Sequence, residues 1–127
     1  MHKILTLTSL VAICLSITPP AHAQNGETVP LIEKYWGGDD DEALAVARCE
    51  SGYDPHAQTG SHYGIFQASR RYHEARFKRL GYDWDRDIWD AGKNTVLAYD
   101  LWKEQDWGPW RASQSCFQRR CRAGSHA

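Results

Sequence analysis

No apolar run in this 127-residue chain reaches the roughly 20 residues that a membrane-crossing helix needs. The longest, Ile4 to Ile17, falls short, so stable membrane insertion is not expected. An excess of one charge is also missing. Lys and Arg number 15 against 16 Asp and Glu, a net of −1, which excludes the basic face that a nucleic-acid binder relies on. Internal repeats and low-complexity tracts are absent. Metal-ligand spacing is nearly so: apart from Cys116 and Cys121, no cysteine has a second cysteine or histidine at zinc spacing. His56, His62 and His73 lack paired spacing and read as surface residues. Asp83, Asp85 and Asp87 open like a calcium loop, but Ile88 and Asn94 stand where that loop wants Gly and Glu. Neither a metal nor a cofactor is expected.

What is present begins with an export leader over residues 1–23. Lys3 precedes the apolar run, and Ala21-His22-Ala23 has the small-x-small form of a cleavage site, so the mature chain is expected to start at Gln24, exported to the periplasm or beyond. Cys14 follows Ile13, where a lipid-attachment signal prefers a small residue, and leaves with the leader. Cys49, Cys116 and Cys121 remain. In an oxidising compartment they form one disulfide and one spare thiol, with the pairing open. All six Trp, six Tyr and three Phe lie beyond Ala23, which suits either a dense core or a sugar-stacking cleft.

Residues 24–38 read as a lead-in carrying one apolar cluster, Leu31, Ile32, Tyr35 and Trp36. Residues 39–112 read as a single domain and 113–127 as a basic, Cys-containing tail, a solvated end partly tied by a cysteine. Asp39 to Glu42 cap a helix whose apolar positions are Ala43, Leu44, Val46 and Ala47, ending near Gly52. Residues 51–68, with Gly52, Pro55, Gly60 and Gly64, predict a loop or short hairpin between the first two helices of the domain. A basic helix over 69–80 stops at Gly81, and Asp90 caps a last helix running to about Gln105. The expected fold is mainly α, with any strand confined to the middle.

Glu50 stands three residues after Ala47 and seven after Ala43, on the same inward face of its helix. A carboxyl held against apolar walls resists ionising, keeps its proton nearer neutrality and can act as a general acid. Glycosidic cleavage needs such a donor, because the leaving oxygen departs poorly until protonated. Asp54 lies four residues on, but in Asp-Pro it sets a turn rather than supplying a second carboxylate.

The run Glu50-Ser51-Gly52-Tyr53-Asp54-Pro55, followed by Gly64-Ile65-Phe66-Gln67, resembles the signature of soluble lytic transglycosylases and other lysozyme-like domains. Cys49-Glu50-Ser51-Gly52 is also similar to resuscitation-promoting factors, and Asp90 with Asn94 looks like the family's third motif. The likeness implies an α+β lysozyme-like fold and Glu50 as catalytic acid on peptidoglycan glycan strands. Ser51 would bond the acid or a sugar, or else serve as a helix-end turn residue. Gln67 would line the substrate cleft, or else be a polar loop residue, and Gly64 would let backbone approach a ligand closely.

One departure stands out: the family's Ala-Tyr-Asn-Ala-Gly motif, whose tyrosine lies close to the acid, is replaced by Trp107-Gly108-Pro109-Trp110. Tyr63 and Tyr99 are the tyrosines left for that role, and Trp110 is a cleft wall or a core residue. The implied activity is transglycosylation leaving 1,6-anhydro ends. A hydrolytic muramidase and a non-catalytic wall-binding component of a secretion or pilus apparatus are the alternatives.

Overall fold

The computed structural model describes residues 20–124. The basic start, the apolar run and Cys14 lie outside the described residues. Helix α1, Pro20–Trp36, passes into a short 3-10 turn, Gly37–Asp39, and then into α2, Asp40–Ser51. A three-stranded antiparallel sheet follows: β1 Gln58–Thr59, β2 His62–Tyr63 and β3 Ala68–Ser69, in that spatial order. Gln58 pairs with Tyr63 and Tyr63 with Ala68. Next come α3 Arg70–Arg79, the single turn α4 Trp84–Asp87, α5 Ala91–Gln105, a 3-10 segment Gly108–Ser113 and α6 Gln114–Gly124. The mainly helical character, with a hairpin between the first two helices of the expected domain, agrees with the sequence reading.

Two segments differ from that reading. The lead-in is most of a helix, with Thr28, Ile32 and Trp36 buried along one face at four-residue steps. Pro30 lies inside this helix, where it supplies no backbone N–H. Burial of Ile32 and Trp36, at roughly 2 kcal/mol per large side chain, outweighs that loss. The expected solvated tail is likewise helical through Gly124, and Phe117 is 2% exposed. Buried Phe117 and a disulfide from Cys116 dock it against the fold.

Each helix ends where local chemistry requires. Gly52 takes φ +62° and its N–H closes on Arg48 O at 2.9 Å, stopping α2. Asp83 caps α4 by accepting from Arg86 N, and Asp90 caps α5 by accepting from Lys93 N. Ala43, Ala45, Val46 and Ala47 give α2 a narrow buried face that lets α1 and α6 approach closely. The core continues through Ile65, Phe66, Phe77, Leu97 and Leu101. Trp36 joins its parts. Its ring lies 5.7 Å from Phe66, 5.8 Å from Trp102 and 5.9 Å from Trp107, so α1, α5 and the last 3-10 segment share one aromatic cluster.

Candidate active site

Asn94 organises the loop that follows β2. Buried on the first turn of α5, its Oδ1 accepts from Phe66 N at 3.0 Å, and its Nδ2 donates to Tyr63 O at 3.0 Å and Ile88 O at 3.3 Å. Gly64 is what lets this clamp close. It holds φ +78°, and a Cβ there would meet Asn94 Nδ2 at 2.2 Å. At Gly64 the close approach within the fold is that of Asn94.

Glu50 is half-buried on the last turn of α2. Burial raises its carboxyl above the ordinary value, while a hydrogen bond from Ser113 and the attraction of His62 pull it partly back. Ser113 Oγ donates to Glu50 Oε1 in a short contact. His62, on β2, is exposed. A disulfide joins Cys49, the residue before Glu50, to Cys116 on α6, with the Cα atoms 6.0 Å apart. This is one of the pairings the sequence left open. It closes a separation of 67 residues, which in the chain-entropy picture stabilises by about 4 kcal/mol.

A cleft of about 540 Å³ opens between the start of α3, α5 and the segment around Pro109. Gln67, Trp110, Tyr72, His73 and Arg79 line it, together with His62. Glu50 is not among the lining residues. His62 lines the cleft, and its charge also acts on the Glu50 carboxyl. His73 is half-buried rather than a free surface residue, and its burial, with Arg76 and His62 nearby, holds its imidazole below the ordinary value. Arg76 is itself committed to Asp100 and Glu104, which ties α3 to α5.

The other sequence-expected site residues fall in two groups. Gln67 and Trp110 reach the cleft. Gln67, at φ +49°, gives its Nε2 hydrogens to Ala57 O and Gly64 O, both at 2.9 Å, while its buried Oε1 has no partner among the described residues. Trp110 is 5% exposed and donates from Nε1 to Phe66 O at 2.9 Å, so it is a core residue with one edge forming cleft wall.

Ser51, Tyr63 and Tyr99 lie elsewhere. The Ser51 hydroxyl faces Ile65 O at 2.7 Å and Ala47 O at 3.2 Å, so its one hydrogen is spent pinning the end of α2 to the loop. Tyr63 packs edge-on against Trp84 and Trp89. Tyr99 belongs to the cluster of Tyr35, Trp36 and Trp102 on the α1 side of α5. Asp54 accepts from His56 N at 2.8 Å, the turn geometry expected of Asp-Pro. Sequence reasoning did not find Ser113 or the part played by His62. Ser113 is 63 positions from Glu50 and carried no spacing signal.

Among the described residues no helix is long and apolar enough to cross a membrane, and the disulfide is compatible with an exported protein. No protein-family model matches the chain, and it has no match among curated proteins or solved structures.

Proposed function

We propose that the protein is an exported peptidoglycan lytic transglycosylase acting at the cell wall, with Glu50 as its acid and then its base. The observation that carries this reading is the carboxyl itself: half-buried, raised by desolvation and acted on by the charge of His62, which lines a cleft large enough for sugar rings. Glu50 protonates the oxygen between N-acetylmuramic acid and N-acetylglucosamine, and the bond from that oxygen to the muramic C1 breaks. The muramic C6 hydroxyl then bonds to C1 and returns its proton to Glu50. A 1,6-anhydro end results, with water neither consumed nor released. Gln67 supports the reading in a second way, as a polar residue lining the cleft where the resemblance puts a substrate contact. A one-carboxylate route fits the surroundings of Glu50, where Ser113 and His62 are the groups acting on it and Asp54 is committed to its turn.

Digestion of purified peptidoglycan by wild type and Glu50→Gln, with product mass spectrometry, tests this. The expected outcome is anhydro ends from wild type and a loss of about a thousandfold in the variant. Ends heavier by one water would replace transglycosylation with hydrolysis. Equal clearing by both proteins would remove Glu50 from the chemistry, and binding without clearing by either would make the domain a wall-binding module.

A further inference from the structure

We propose that Ser113 is the positioning residue for Glu50, in the place the resemblance gives to a tyrosine, and that the Cys49–Cys116 disulfide holds it there. This rests on Glu50 being the acid. A hydroxyl has one hydrogen to give, and Ser113 gives it to Glu50 Oε1. Oε2 is then the oxygen that carries the proton to the substrate and takes it back. Neither Tyr63 nor Tyr99 competes for that position, since both rings are packed against other aromatics.

The segment bearing Ser113 is anchored on both sides. Three residues before it, Trp110 is buried and bonded to Phe66 O. Three residues after it, Cys116 is bridged to Cys49, and Phe117 is buried beside it. Because Cys49 immediately precedes Glu50, the bridge fixes acid and serine relative to each other rather than each to the fold alone. A donor aimed at Oε1 favours the carboxylate, the form that Glu50 takes as it protonates the leaving oxygen. Ser113 therefore orients the acid and stabilises what the acid becomes. The groups whose charge or hydrogen bond acts on Glu50 are this hydroxyl, from the segment before α6, and His62, from β2.

The test is the pH profile of kcat/KM on purified wall glycan for wild type, Ser113→Ala and Ser113→Thr, with the bridge intact and reduced. General-acid catalysis falls as pH rises through the Glu50 pKa. Removing the donor disfavours the carboxylate, so Ser113→Ala is expected to move that limb to higher pH while lowering the plateau about tenfold. Ser113→Thr, which keeps a hydroxyl, is expected to restore both. Reduction is expected to give wild type the Ser113→Ala profile and to add little to Ser113→Ala itself.

A plateau loss with the limb in place would make Ser113 merely structural, and an unchanged profile would overturn the proposal outright. Reduction costing both proteins equally would overturn the part given to the bridge. The Ser113 arm, run with the bridge intact, decides the central claim even where the reduced protein unfolds. Activity retained by Glu50→Gln would instead overturn the assignment of the acid, whereas an inactive Glu50→Gln beside an unaltered Ser113→Ala would sink this inference alone.

Discussion

The molecule holds two carboxylates away from bulk water in opposite ways. Around Glu50, the α2 and α6 side of the fold is joined by a disulfide and small apolar side chains, and polar partners are few, so burial prevails and the proton is held more tightly. Around Asp87, in α4, partners are plentiful. Arg86 and Lys93 donate at 2.7 to 3.0 Å and Asp83 N at 2.9 Å, which hold this carboxyl well below its usual range. The difference teaches that burial alone does not set proton affinity; burial raises it and the supply of donors lowers it, and the balance decides. The apolar, disulfide-linked region raises the proton affinity of its carboxyl, and the polar network lowers that of its own.

The comparison is broken most severely by cutting the bridge. Cys49→Ala with Cys116→Ala is expected to cost about 4 kcal/mol, read from urea midpoints. A loss under about 1 kcal/mol would show that α6 is held by packing alone. On the polar side, Gly64→Ala forces the Asn94 amide from its three bonds and imposes a left-handed backbone on alanine, at about 3 kcal/mol. Combining it with Asn94→Ala should cost less than the two separate losses, because the clash then has no partner.

The smallest effects sharpen the contrast by their sign. Glu50 has a raised folded pKa, so what it contributes is fully present below its unfolded value, about 4.3, and is lost as pH rises through the folded one. Glu50→Gln should therefore match wild type in acid and exceed it at neutral pH, by less than about 1 kcal/mol because water still reaches the carboxyl. Asp87 has a depressed folded pKa, so its contribution is present above about 3.9 and is lost as pH falls through the folded value. Asp87→Asn should be the weaker protein at neutral pH, with the gap closing in acid. Denaturant midpoints across that range would refute the comparison if both variants moved the same way.

The helix of Glu50 was legible because Ala43, Ala47 and Glu50 share a face at three- and four-residue steps, a local property of the chain. Its end at Gly52, the hairpin after it and the Asp90 cap were legible for the same local reason. Helix α1 was obscured by Gly26 and Pro30, although Ile32 and Trp36 already stood at helical spacing. In α6, Phe117 is the one buried residue among those whose burial is described, which gave no period to read. The Ser113–Glu50 contact was out of reach because it joins residues 63 positions apart that meet only in the whole fold. Gly64 was noticed for tolerance of close approach, and its neighbour Asn94 was not legible, since it meets Gly64 only once α5 packs against the hairpin.

The indoles of Trp102, Trp36, Trp107 and Trp110 form a continuous series in that order, with successive ring centres 5.3 to 5.9 Å apart, drawn from α5, α1 and the segment that leads to Ser113. Chromophores this close share excitation, so light absorbed by one is felt by all. The chain therefore carries an intrinsic optical gauge of its own assembly: undocking α1 removes the central member, and near-ultraviolet dichroism would register the event without any added label.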